Sequence, residues 1–209
     1  MRNPRRSHLR GVGRFGSWEW DPNAFIGYRT LHGVYGQRQP DAQMVRVKIP
    51  LGILTAEMLE TLGGIGDRHT ERRRGHLTTR ENVQFHFTAL EDAPAIMRQL
   101  AAAGLTTREA CGNAVRNVTG SPLAGVCRRE PFDVTPYAAA YARHFLRHPI
   151  TQRLPRKFKS SFSCCEEDDS ITGIQDLGFI PRNARRAVRN DAASWSRWVG
   201  APRSSPGRR

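Results

Sequence analysis

The chain of 209 residues has few cysteines, Cys111, Cys127, Cys164 and Cys165, and no C-x-x-C pair among them. That leaves no paired-cysteine metal or redox motif, and no residue is assigned as a metal ligand from sequence. Adjacent Cys164 and Cys165 would make an awkward bridge to each other, so the thiols are expected to be reduced. There is no run of eighteen apolar residues, which excludes a helical membrane span of the usual length. The basic N-terminal stretch lacks the apolar segment of a secretory signal. Together these absences predict a reducing, cytoplasmic protein with no membrane partner. Acidic residues are also scarce, with 19 Asp and Glu against 33 Lys and Arg, a formal net charge of +14. Such an excess invites a nucleic-acid interpretation. Much of it sits at the ends, however, in Arg2, Arg5, Arg6, Arg10 and Arg14 and in the arginine series from Arg182 to Arg209. A basic tail attracts any polyanion in a salt-dependent way, so no specific nucleic-acid partner is expected.

Periodicity supplies the elements. In GHLTTRENVQFHF, residues 75–87, Val83, Phe85 and Phe87 alternate with Gln84 and His86, the period of a half-buried strand. Met44 to Ile49 alternates likewise, with Val45, Val47 and Ile49 on one face and Pro50 as the stop. Thr55 is placed to cap a helix from Ala56 with Met58, Leu59 and Leu62 on its buried stripe. Gly63, Gly64 and Gly66 are expected to weaken its end, at about 1 kcal/mol each relative to alanine. A second helix begins near Asp92 and Pro94, runs through Ile96, Met97, Leu100 and Ala101, and stops at Gly104. This order of strands and helices predicts an α+β unit of the split βαβ kind, with helices on one face of a sheet. From Ala110 to Gly125 small and turn-forming residues dominate. A third helix is expected from Thr135, as its cap, to about His148, with Ala138, Tyr141, Ala142 and Phe145 on one face. A strand then alternates Phe158 and Phe162 against Lys157 and Lys159, and a loop from Ser170 leads into a last short strand near Pro181.

Three of these segments deliver cations from ordered backbone: Arg80, Arg116, and Lys157 with Lys159. Two unit charges about 4 Å apart repel by roughly 4 kcal/mol at an effective dielectric near 20, equivalent to about three pKa units. A lysine in such a cluster tends to lose its proton unless an anion is present. The pattern suits a small anion or a polycarboxylate, with the lysines as proton donors.

GHLTTRENVQFHF, ACGNAVRNVTGSPLAG and LPRKFK, in this order, resemble the sirohaem-dependent nitrite/sulfite reductase family. The segment from Tyr35 to Thr55 resembles the entry to that family's ferredoxin-like half-domain, and the likeness runs from about Phe25 to Pro181. It implies an α+β fold in which a ferredoxin-like half-domain, residues 24–104, precedes the first part of a sirohaem/iron–sulfur catalytic domain, residues 105–181. Residues 1–23 would then be a basic irregular lead-in and residues 182–209 a basic, disordered tail. It also implies that Arg80, Arg116, Lys157 and Lys159 form the anion site over the sirohaem, the lysines supplying protons. Thr78, Thr79, Asn117, Thr119 and Arg156 would meet the macrocycle's carboxylates. The implied reaction is six-electron reduction of sulfite to sulfide or of nitrite to ammonia, fed by ferredoxin or a flavoprotein. Nitrite-reducing relatives often carry asparagine where this chain has Lys159, which favours sulfite. The rivals are a cobalamin-pathway monooxygenase of the same fold and a noncatalytic basic nucleic-acid-binding protein.

The pattern breaks in two places. The family's [4Fe–4S] cluster takes two closely spaced cysteine pairs beyond the KFK strand, and those pairs are absent from this sequence. Cys111 is expected to be a packed thiol, Cys127 to be isolated, and Cys164–Cys165 to be too tight for two ligands of one cluster. After DLGFIPR the apolar periodicity disappears, as a shifted reading frame from about Asn183 would produce. The chain is therefore expected to be an incomplete reductase. In the family the half-domain pairs with a second copy of itself, so a marginally stable, aggregation-prone product is expected.

Overall fold

The computed structural model describes residues 21, 23–39 and 41–182 throughout, and the backbone alone of residues 14–15, 18–19, 22, 183 and 193–198. In chain order the elements are β1 (Arg14–Phe15), β2 (Trp18–Glu19), α1 (Pro22–Leu31), β3 (Val34–Gly36), β4 (Gln43–Lys48), α2 (Ala56–His69), β5 (His76–Leu77), β6 (Asn82–Thr88) and α3 (Ala93–Ala102). There follow β7 (Val115–Gly120), α4 (Thr135–Phe145), β8 (Phe158–Phe162), β9 (Leu177–Asn183) and β10 (Ala193–Trp198). They divide into two compact units, the first made of residues 1–49 and 54–114, the second of residues 50–53 and 115–209. Among the described residues no helix is long and apolar enough to cross a membrane.

The first unit is an antiparallel sheet in the order β3–β4–β6–β5, with α2 and α3 packed on one another. Val45 and Val47 of β4 stand opposite Phe85 and Val83 of β6. With Leu62 and Ile65 of α2 and Ile96 and Leu100 of α3 they make one core. Thr55 caps α2 by accepting from Met58 N at 3.2 Å. α2 runs through Gly63, Gly64 and Gly66 and on to His69. Leu59 is 60% exposed. The buried stripe is Met58, Leu62 and Ile65, spaced i, i+4, i+7 as one helix face requires, and Leu59 lies at its edge. It borders an open groove of about 270 Å³ shared with Leu77, Leu62, Val83 and Phe85.

The expected alternation of β6 holds for Val83 and Phe85, both buried, and fails at Phe87. Phe87 has φ +57° and lies where the register shifts between Gln43 and Val45. A β-bulge turns the ring out of the ladder, and the Arg72 guanidinium lies over it at 5.1 Å. The outer face of β4 is covered as well. Lys48 N donates to Thr106 O at 2.8 Å, and Arg46 donates to Ala110 O and to Gln84 Oε1. Gly33 makes the close approach possible: its φ is +83°, and a Cβ there would sit 2.4 Å from Thr107 O, so only glycine fits. Asp92 precedes α3 without a side-chain capping bond and faces His69 Nδ1 at 3.3 Å.

The second unit is a four-stranded sheet in the order β10–β9–β8–β7. β7 and β8 are parallel, as are β8 and β9, and β10 runs antiparallel to β9. Val118, Ala138, Ala142 and Phe162 form its core with Leu51 against them. The cap of α4 differs from expectation, because Thr135 lies inside the helix and Asp133 Oδ1 accepts from both its N and its Oγ1. The helix ends at Phe145. Within the stretch of small and turn-forming residues after Ala110 the chain forms β7, and α1, capped by Asp21 through Ala24 N, occupies part of the expected lead-in. Of the tail, residues 193–198 pair as β10. Arg182 and Asn183 close β9; the other tail residues lie outside the described residues, as does most of the lead-in.

Candidate anion site and thiol cluster

In the first unit β5 and β6 are joined by a tight turn. Thr78 N donates to Asn82 O at 3.0 Å and Glu81 N to Thr78 O at 3.0 Å. The Thr78 hydroxyl accepts from Arg80 N at 3.3 Å and from Asn82 N at 3.2 Å. Thr78 therefore fixes the backbone from which the half-buried Arg80 leaves, and Thr79 is exposed at the tip. Beside this hairpin lies a cavity of about 410 Å³ lined by Arg72, Arg74, Gly75, His76, His86 and Phe87. The two imidazoles meet edge to face with centroids 6.0 Å apart. Sequence reasoning assigned no role to these cations, although the run Arg72 to Arg74 just before β5 was a visible signal.

Burial holds the His86 pKa below its ordinary value of 6.5, helped by neighbouring His76 and Arg46. Because the folded state disfavours the proton, the unfolded chain binds more protons in that window. The stability contributed by neutral His86 is thus present above pH 6.5 and is lost as pH falls through the lower, folded-state pKa. Replacing His86 by glutamine is expected to flatten the acid limb of a urea-midpoint-versus-pH profile below that value. A limb of unchanged slope would assign the acid sensitivity to another group.

The second unit sets the other cations on neighbouring strands. Val115 pairs with Phe158 and Val118 with Ser160, with a register irregularity between them, so Arg116 and Lys159 occupy adjacent strand positions. Phe162 packs with α4 residues Ala138 and Ala142, and Ser160 Oγ meets Tyr141 OH of α4 at 2.8 Å. Lys159 alternates with these residues and so lies on the opposite face from α4. Its backbone N donates to Asp176 Oδ2 at 2.8 Å. Arg156 and Lys157, just ahead of β8, are exposed. Asn117 and Thr119 are buried, and the Thr119 hydroxyl donates to Ser160 O at 3.3 Å. The structure thus places Arg116, Lys157 and Lys159 together in one unit, with Arg80, Thr78 and Thr79 in the other.

One expectation about the cysteines is overturned. Cys127 is not isolated: its sulfur and those of Cys164 and Cys165 all lie within 4.8 Å of one another. The Arg129 backbone N–H holds the Cys127 pKa down, whereas burial pushes Cys164 up to about 12 and raises Cys165. All four cysteines are free, and Cys111 is fully buried in the first unit.

An antiparallel sheet with α2 and α3 packed on one another, followed by a mixed sheet carrying adjacent cations, defines a two-part α+β protein. Two family descriptions match consecutive parts of it: the nitrite/sulfite reductase ferredoxin-like half domain over residues 35–103, and the nitrite and sulphite reductase 4Fe–4S domain over residues 111–190. The chain belongs to the sirohaem-dependent nitrite/sulfite reductase family. It is 36% identical over 174 residues to a sulfite reductase [ferredoxin] 2 of Mycolicibacterium paratuberculosis, covering 83% of this chain and 29% of that protein. A ferredoxin–nitrite reductase of Leptolyngbya laminosa is 34% identical, covering 66% and 28% respectively. The structure of the Mycobacterium tuberculosis NirA protein matches with a TM-score of 0.78 at 30% identity, covering 94% of this chain and 38% of that one. The chain thus spans roughly a third of the length of these relatives.

The family carries sirohaem and an iron–sulfur cluster. Guanidinium, ammonium and hydroxyl donors such as those on β7 and β8 suit a macrocycle bearing several carboxylates. The cysteines do not suit the cluster. A [4Fe–4S] cube takes a thiolate at each of four corners, whereas three of the thiols here converge on one point and the fourth is buried in the other unit.

Proposed function

We propose that this chain provides the anion-binding part of a cytoplasmic sirohaem sulfite reductase supplied with electrons by ferredoxin or a flavoprotein. The observation that carries the proposal is the delivery of Arg116 and Lys159 by adjacent positions of paired parallel strands, with Lys157 just ahead of them. When bound, sirohaem supplies the six-electron reduction of sulfite to sulfide. The chain's own residues do the electrostatic work. Arg116 is a fixed positive charge that stays protonated and compensates the anion. Lys157 and Lys159 hold protons at Nζ and release them toward oxygens that leave as water. Arg80 is assigned the same charge-compensating role, with Thr78 keeping its backbone in place. Thr79, Asn117, Thr119 and Arg156 are assigned to the macrocycle's carboxylates, with exposed Thr79 and Arg156 as the stronger candidates and buried Thr119 the weakest. Lys159, at a position where nitrite-reducing relatives often have asparagine, favours sulfite over nitrite. No step is assigned to an iron–sulfur cluster.

The test is spectroscopic. The purified chain is expected to acquire sirohaem absorption bands on addition of the cofactor, and sulfite is expected to shift them. Lys159→Asn is expected to weaken sulfite binding about 10-fold, equivalent to about 1.4 kcal/mol, and to weaken nitrite binding less. Failure to acquire sirohaem bands would remove the proposal; equal losses for both anions would remove the preference for sulfite.

A further inference from the structure

The loop after β7 and the loop after β8 lie against each other at the sulfurs of Cys127, Cys164 and Cys165. Cys127 closes a turn by donating its backbone N–H to Leu123 O at 2.9 Å. Cys164 and Cys165 come directly after β8, where the chain leaves the sheet, and Ser163 Oγ donates to Cys165 O at 2.7 Å. In a strand, vicinal side chains would point to opposite faces; here both thiols reach the same point. Three sulfurs within 4.8 Å of one another are close to what a single ion needs. At a metal–sulfur length of about 2.3 Å, tetrahedral thiolates lie about 3.8 Å apart, a closure that side-chain rotation can supply.

The surroundings support a ligand set more than a piece of apolar core. Val134 is the other buried residue of this cluster, with Ala124 and Phe132 only partly buried. Ser121 Oγ is 3.1 Å from Cys164 Sγ and 2.5 Å from Asp169 Oδ2, and Asp169 Oδ1 accepts from Ser163 Oγ at 3.4 Å. A hydroxyl backed by a carboxylate beside one sulfur is the kind of outer partner that orients metal ligands. The same two loops are joined at the surface by the Arg129–Glu167 ion pair.

We propose that Cys127, Cys164 and Cys165 bind one thiophilic d¹⁰ cation of the Zn²⁺ class, which fastens the loop after β7 to the loop after β8. Thiolate ligands select such ions over hard cations. Binding a divalent ion to three thiols forms three metal–sulfur bonds and releases up to three protons to the buffer, with no oxidant or reductant. The site is structural and is separate from the cations assigned to the anion. It therefore stands whether or not the chain takes up sirohaem.

The full chain, purified anaerobically with a phosphine reductant, is titrated with Co²⁺ as a spectroscopic substitute for Zn²⁺. The expected result is one Co²⁺ per chain, with a near-ultraviolet thiolate-to-cobalt band and tetrahedral visible bands that Zn²⁺ abolishes. Cys127→Ser removes a ligand from a half-exposed position and is expected to cost more than the 10–100-fold that losing an outer partner typically costs. Cys111→Ser, in the other unit, should leave the titration unchanged. As a second measurement, excess Zn²⁺ should protect three thiols per chain from a thiol reagent. Equal thiol reactivity with and without Zn²⁺ would overturn the proposal. So would a cobalt band that survives Cys127→Ser in a variant whose circular dichroism is unchanged.

Discussion

Lys48→Met is expected to destabilise the first unit by about 3–5 kcal/mol, the cost of breaking a buried ion pair from one side. Lys48 is 4% exposed and Glu109 is completely buried, with Nζ 3.7 Å from Oε2. The backbone around both residues is tied down. Lys48 N donates to Thr106 O at 2.8 Å, and Glu109 N donates to Leu31 O at 2.8 Å. Glu109 also holds a left-handed φ of +60°, so its carboxylate has no easy route to water when its partner is removed. The double variant Lys48→Met/Glu109→Gln removes both charges and keeps the shape, and is expected to recover most of the loss, since the pair itself contributes little once desolvation is counted. Hydrogen exchange in peptides from β4 and β6 reads this within the first unit, independently of how the second unit unfolds. A single variant within about 1 kcal/mol of the parent would mean that water reaches the pair in solution, since exposed pairs are worth about that much.

That ion pair also shows how far the sequence could be read. Val45, Val47 and Ile49 announce one buried face of β4, and the structure agrees. The opposite face looked solvated because it carries Met44, Arg46 and Lys48. It is buried by residues 106–110, which no period-2 or period-3.6 pattern links to β4. β7 was invisible for a related reason. Asn117 and Thr119 are as buried as Val118, so polarity does not alternate with exposure along it. α1 had a start signal in Asp21 and Pro22, yet Ile26 and Tyr28 are each about half exposed, so its apolar stripe was weak. Phe87 was misread because a single left-handed residue reverses a strand's alternation, and a bulge leaves no mark in an apolar/polar pattern. The cations of β7 and β8 were legible as motifs because consecutive residues carry them. The thiol cluster was not, because Cys127 and the Cys164–Cys165 pair are joined only by how two loops fold back. Spacing alone carries no record of that.

Phe85→Ala is the second large effect, an expected loss of about 3–5 kcal/mol, set against Leu59→Ala, which should stay within about 0.5 kcal/mol as surface changes do. Phe85 is 1% exposed and stands opposite Val45. Gly75 closes over its ring so tightly that an added Cβ would sit 3.3 Å from Phe85 Cε1. The cavity left by alanine cannot be filled from Gly75, which has no side chain, nor from the β-branched valines, which have little rotameric freedom. Leu59 sits on the rim of the groove above the same core, and its removal opens nothing that is closed. The consequence reaches the functional end of the strand. β6 follows the turn that sets Arg80 and carries His86 next to Phe85, so loss of its central anchor should loosen both. Hydrogen exchange at residues 78–82 is expected to accelerate in Phe85→Ala and to stay unchanged in Leu59→Ala. If the two variants lose equal stability, the groove is covered in solution and Leu59 belongs to the buried stripe after all. If Phe85→Ala loses stability while residues 78–82 keep their protection, the turn is held by Thr78 and its hydrogen bonds alone. Arg80 would then owe its place to the hairpin and not to the core beneath it.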